Sequence, residues 1–408
     1  MKLLLKSPDQ IITCSAGGKL FKRGPEMNDV GVMAGADVYI EDGTIKEIGK
    51  VTTDSDCDVF DVAGKILIPG LVDPHTHAVF AGTRENEFAM RARGISYSEI
   101  AKNGGGILET VRKTRETQKS KLRSHAAHRL DKMLKWGTTT IELKSGYGLD
   151  FKCEVKLLEA IQELKTESIS DIVVTFLGAH AIPPECDHDT YIKTLTDEII
   201  PYIAKRNLAE FCDVFCDEGF FSIQDSKEIL TTAYENGLRL KMHADELSEN
   251  GGVNLAVELG ATSVDHLEHI SPHEIKLLGK SDTIGVILPA VSAYLQSKSA
   301  PAKEMIGDDC AIAIASDFNP GTSMVDNMQT VMWLAVCFNK MTVEEALNAA
   351  TINAAAAIGM SERLGSIEVG KQADILIVDT KDYAYLPYHF TENKITNVVK
   401  RGTILEFS

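Results

Sequence analysis

Several polar residues in this 408-residue chain sit at the ends of apolar, strand-sized runs. His75 and His77 close the run ILIPGLVDPHTH. A spacing of two on a strand puts both imidazoles on one face. His243 ends the strand-like part of RLKMHADE, His266 that of ATSVDHLEH, and Asp317 follows AIAIAS in AIAIASDFNPG. Three histidines and a carboxylate make a mononuclear divalent-metal site with room for a water. Any one of these histidines would more often be structural. Four such side chains at equivalent strand ends are harder to explain that way, and they point to metal-assisted hydrolysis.

Such a constellation needs a scaffold that brings distant strand ends together. From Pro69 to Met360 the chain repeats strand, loop and helix. Its strand-like runs also include GTTTIELKSGYG, DIVVTFLGAH, FCDVFCDE and TIGVILP. Between them lie helix-like stretches such as SKLRSHAAHRLDKMLKWG, CEVKLLEAIQELKTES and SIQDSKEILTTAYENG. Eight β units, each followed by a loop or helix, are what a (β/α)8 TIM-like barrel of the α/β class requires, and such barrels keep their active sites at the C-terminal strand ends. Residues 1–68 and 361–408 read instead as short strands with turns, Asp42-Gly43 and Arg401-Gly402 among them. They predict one small β-sandwich domain built from both termini around a barrel over 69–360. No Gly-rich fingerprint follows the first barrel strand, which speaks against a dinucleotide site. Asn103 to Gly106 reads as a mobile loop, since it lacks the Lys-Ser/Thr of a phosphate cradle.

Composition narrows the partners. Acidic residues number 59 against 42 basic ones, a formal net charge of −17. That surface disfavours nucleic acid and anionic lipid, and no apolar run is long enough to span a bilayer. Lys6 ends the first leucine run too early for a signal peptide. The eight scattered cysteines contain no CxxC pair and read as reduced, mostly buried thiols of a cytoplasmic protein.

PGLVDPHTH, KMHADE, SVDHLEH and ASDFNPGTS resemble the amidohydrolase superfamily of metal-dependent barrel hydrolases. HAVFAGTRENEF, ELKSGYGL, TFLGAHAIPPE and DEGFFS narrow the resemblance to the imidazolonepropionase family of histidine degradation, over nearly the whole chain. The resemblance implies that His75, His77, His243 and Asp317 ligate the metal. Many superfamily members hold two metals bridged by a carboxylated lysine on the fourth strand, but FCDVFCDE has no lysine there. Lys144, on the second strand, is expected to be structural or surface-exposed. One zinc or iron ion per subunit is therefore expected.

The implied reaction is hydrolysis of the ring amide of 4-imidazolone-5-propanoate to N-formimidoyl-L-glutamate by a metal-activated water. Asp317, His266 and Glu246 share the acid and base work in a division the sequence leaves open. Arg84, Tyr147, His180, Glu246, Asn319, Gly321 and Thr322 are expected to bind substrate. Arg84 would fork onto the propionate, and Gly321 would let a backbone amide approach an anion. The family also implies a homodimer. The remaining histidines, His269 among them, read as structural. Two rival readings stay open: a related barrel deaminase acting on a heterocycle, and a non-catalytic scaffold on the same fold. A neutral base would not need the Arg84–Tyr147 clamp, and the surviving ligand set argues against a scaffold.

Overall fold

The computed structural model describes residues 1–52, 55–95, 99–100 and 104–407. Eight parallel strands form the central sheet in sequential order: β8 (Leu71–Asp73), β9 (Thr138–Lys144), β10 (Asp171–Ala179), β11 (Phe211–Cys216), β12 (Arg239–Ala244), β13 (Ser263–His266), β14 (Ile284–Ile287) and β15 (Ile312–Ile314). They curl into a TIM-like barrel whose first and last strands are joined beyond the regular ladder. Asp317 N donates to His75 O (3.0 Å) and His77 N to Phe318 O (3.0 Å). Asp73 adds a side-chain clasp, accepting from Ser316 N and Oγ. The seam of the barrel therefore carries three of the residues singled out for metal binding.

Helices cover the strands where the sequence pattern places them. Helix Lys119–Lys135 buries Leu122, Ala126, Leu130, Met133 and Leu134, a stripe at helical period. Helix Phe151–Glu167 starts at Asp150, whose side chain accepts from Cys153 N, and Ile223–Glu235 starts with a Ser222–Asp225 capping box. His188 opens the helix His188–Lys193.

The terminal segments form two further sheets. One runs β5 (Thr44–Gly49), β4 (Asp37–Glu41), β1 (Lys2–Lys6), β6 (Asp58–Asp61). The other runs β18 (Thr403–Glu406), β17 (Ile395–Lys400), β16 (Ile375–Val378), β7 (Ile66–Pro69), β2 (Gln10–Ile12), β3 (Val32–Met33). Leu3, Leu5, Val38, Ile40 and Ile45 from the first pack against Ile11, Leu67, Ile375, Ile377 and Val399 from the second, which makes a sandwich core. Both expected turns are present. Asp42-Gly43 and Arg401-Gly402 each take positive φ at both residues, the geometry of a tight hairpin. The run ILIPGLVD is divided: Ile66–Pro69 pairs with β16 in the sandwich, and only Leu71–Asp73 enters the barrel.

The sandwich is tied to the barrel by charge. Asp171, at the start of β10, receives Lys400 Nζ (2.7 Å) from β17 and also Arg401, while Lys400 reaches Asp374 as well (2.6 Å). All eight cysteines are free, but only Cys14, Cys212, Cys216 and Cys310 are buried, fewer than expected. Asn103 lies outside the described residues; Gly106 starts the helix Ile107–Glu116 and donates its N–H to Glu87. No helix among the described residues is long and apolar enough to cross a membrane.

Candidate active site

His75, His77 and His243 meet at the C-terminal mouth of the barrel, each offering a nitrogen within 4.8 Å of the others. Asp317 Oδ1 joins them, 3.3 Å from His77 Nε2 and 3.5 Å from His75 Nε2. His75 Nε2, His243 Nε2 and Asp317 Oδ1 are buried without a hydrogen-bond partner. Orphaned lone pairs of this kind are costly unless something cationic satisfies them. Burial lowers the pKa of His75 well below the ordinary range and that of His243 to about 4, the latter against the pull of Asp213. Neutral imidazoles with free ring nitrogens beside an ionised carboxylate fit a divalent cation. Burial opposes ionisation of Asp317, but its contact with His77 and the neighbouring His266 and His243 hold it below the usual carboxylate range.

Two of these positions depend on unusual backbone. His266 directly follows Asp265 on β13, so regular alternation would send the two side chains to opposite faces. Instead His266 and Leu267 take φ of 85° and 71°, and Asp317 takes 46°. Non-glycine residues rarely occupy that region. His266 thereby reaches the site, with its ring centroid 5.2 Å from that of His243.

His266 lies between two carboxylates, Glu246 Oε2 at 3.5 Å from Nε2 and Glu268 Oε2 at 3.6 Å from Nδ1. Burial opposes charging of the ring, but Glu246 and Glu268 push its pKa up to about 10. Burial lifts Glu246 to about 7, with His266 opposing and Glu268 adding to the rise. A proton carrier near neutrality thus stands beside an imidazolium.

A cavity of about 460 Å³ opens over this cluster. Its wall includes His77, His243, His266, Asp317 and Glu246, together with Arg84, Tyr147, His180, Asn319 and Thr322. A register shift between Phe176 and Ala179 re-aims the end of β10, where His180 sits 5.1 Å from the His77 ring and 5.4 Å from that of Tyr147. Its Nδ1 lies 3.1 Å from Gly146 O, which leaves Nε2 for a ligand.

A family model described as the amidohydrolase family matches residues 66–405. Imidazolonepropionase of Clostridium tetani is 43% identical over 411 residues, covering 99% of this chain and 98% of that protein. Its counterpart from Thermoanaerobacter pseudethanolicus is 45% identical over 380 residues, 92% of each. The chain belongs to the imidazolonepropionase family of amidohydrolases. Among solved structures, a triazine hydrolase variant superposes with a TM-score of 0.77 at 16% identity, over 99% of this chain and 94% of that one, which shows the shared fold.

In this imidazolonepropionase-family chain the structure settles one expectation and revises another. Of the two roles expected for Lys144 the structural one holds: it is fully buried, and its ammonium meets Asp213 at 2.7 Å and Glu142 at 3.1 Å. Gly321 does not turn its amide toward the cavity, because Asn319 Oδ1 accepts it at 2.8 Å and also accepts from Thr322 N. What Gly321 supplies is room: a Cβ there would lie 2.0 Å from Arg84 Nη1. Arg84 itself is buried and donates Nε and Nη2 to Glu87 Oε2, at 3.0 and 2.7 Å. Glu87 and Glu268 were not singled out in the sequence. Glu87 carries a usable signal, three residues after Arg84 at the start of a helix.

Proposed function

We propose that this chain hydrolyses the ring amide of 4-imidazolone-5-propanoate to N-formimidoyl-L-glutamate, the activity its full-length relatives are named for. One observation carries the substrate reading. The cavity over the histidine cluster also has the Arg84 guanidinium in its wall, so one pocket offers both a hydrolytic centre and a carboxylate partner. A neutral heterocycle would bring no carboxylate to that guanidinium, which Glu87 already holds in place through Nε and Nη2.

His75, His77, His243 and Asp317 would hold one divalent ion, and their mixed nitrogen and oxygen set suits zinc or iron. When bound, such an ion acidifies water and polarises a carbonyl. The remaining work belongs to side chains. Asp317 accepts the proton of the attacking water through a carboxylate steadied by Asn319 Nδ2 at 3.0 Å. His266, charged between Glu246 and Glu268, faces the oxyanion that forms as water adds to the ring carbonyl. Glu246 hands a proton to the ring nitrogen as the carbon–nitrogen bond breaks, which leaves the new carboxylate and the formimidoyl nitrogen. Arg84 and Tyr147 orient the propionate, and His180 donates to the ring.

Loss of ring absorbance on adding purified chain to freshly generated imidazolone propionate tests the assignment. Release of ammonia from a nucleobase, with the imidazolone left intact, would favour the deaminase instead.

A further inference from the structure

Two lysines lie inside the barrel with no exposed surface, in a layer of five charged side chains that the reaction does not use. Lys144 Nζ contacts Asp213 Oδ2 (2.7 Å), Glu142 Oε1 (3.1 Å) and Asp265 Oδ2 (3.7 Å). Lys241 Nζ contacts Glu142 Oε2 (2.9 Å), Pro74 O (2.9 Å) and Asp265 Oδ2 (3.7 Å). Thr175 and Ser263 complete the layer by donating to Glu142 and Asp265. Lysine is rarely buried so completely, and buried charges persist only when each has its counterions.

The carboxylate oxygens that take the lysines also face the histidines. Asp265 Oδ2 lies 2.6 Å from His75 Nδ1, and Asp213 Oδ2 lies 3.0 Å from His243 Nδ1. A carboxylate at Nδ1 is satisfied only when that nitrogen carries the proton, which leaves the lone pair on Nε2. Both Nε2 atoms are buried without a hydrogen-bond partner; at His243 the Nδ1–Asp213 contact is an ion-pair approach at 3.0 Å without hydrogen-bond alignment, whereas at His75 the Nδ1–Asp265 hydrogen bond is formed. Burial opposes charge on Lys144, yet Asp213, Glu142 and Asp265 hold its ammonium above the ordinary lysine range.

We infer that Lys144 and Lys241 are positioning residues for metal binding: by fixing Asp213 and Asp265, they lock His75 and His243 with Nε2 presented to a divalent ion. The inference rests on the metal-site reading above. It differs from a purely structural role, which would move stability but not metal affinity.

The test is zinc titration of the metal-stripped full chain against a chromogenic chelator, for the parent and for Lys144→Met, Lys241→Met, Asp213→Asn and Lys144→Met/Asp213→Asn. Each single variant should bind zinc about 10- to 100-fold more weakly, the usual effect of losing a group behind a ligand. The double variant should lose little more than either of its singles, because Lys144 acts through Asp213. Circular dichroism and thermal unfolding in saturating zinc identify the folded variants. Removing one lysine strands a carboxylate, so Lys144→Gln, which keeps a donor, is measured alongside and should show a smaller loss than Met. Folded lysine variants with parental zinc affinity, or fully additive losses in the double variant, would overturn the inference. A parent chain that takes up no zinc would instead refute the metal site itself.

Discussion

Glu246 Oε2 faces His266 Nε2 at 3.5 Å, and both groups hold their protons above the ordinary range: the carboxyl rises to about 7 and the ring to about 10. Burial alone would neutralise both groups. The imidazolium survives because Glu246 and Glu268 hold it from both sides. The pair can therefore give up a proton at Glu246 without losing the positive charge that faces the reacting carbonyl.

Glu246→Gln keeps the shape of the side chain and removes the exchangeable proton. Turnover should fall by ~10²- to 10⁴-fold, with metal content near the parent's. Unchanged turnover would reduce Glu246 to a spacer beside His266.

His77→Ala should lose metal and activity together, since the nitrogen facing Asp317 disappears. The parent should carry about one zinc or iron per chain, as a site with an open position does. Elemental analysis alongside the ring-absorbance assay gives both numbers, and a fully active metal-free preparation would count against the site.

Arg84→Met should lower kcat/KM for imidazolone propionate ~30-fold or more, and much less for an imidazolone lacking the propionate. Because Arg84 is paired with buried Glu87, Arg84→Met/Glu87→Gln separates loss of the fork from the cost of a stranded carboxylate. Gly321→Ala approaches the same contact from the other side. Its methyl would displace Nη1 and should cost about 10- to 100-fold in kcat/KM while leaving metal content alone.

The Asp171–Lys400 pair gives a stability prediction. Burial would raise the pKa of Asp171, but Lys400 and its other donors win and hold it well below the usual value. The stabilisation is thus fully present above the unfolded pKa near ~4 and is lost as pH falls toward the depressed folded value. Lys400→Met should lower the melting temperature at pH 7, and the gap from the parent should narrow between about pH 4 and pH 3. A gap that stays constant with pH would mean that Lys400 does not hold Asp171 ionised.

Much of this was readable from residues alone. His75-x-His77, the apolar runs and the two hairpin turns belong to local physics: side-chain periodicity, turn conformations and the length of a strand. Those signals place eight strand ends in one ring and so bring His243, His266 and Asp317 to His75. What lies one layer deeper was not readable. Asp213, Lys241 and Asp265 occur in strands buried on both faces, where alternation of polar and apolar residues no longer marks the inside. Lys144 appears in sequence as an ordinary strand-end lysine, and only the closed barrel makes it the counterion of three carboxylates. Left-handed backbone at His266 and the capture of the Gly321 amide by Asn319 arise where loops meet the barrel mouth. Sequence determined which chemistry the chain carries. Tertiary packing decided which nitrogen of His75 and His243 faces a ligand, because carboxylates on other strands stand at the other one.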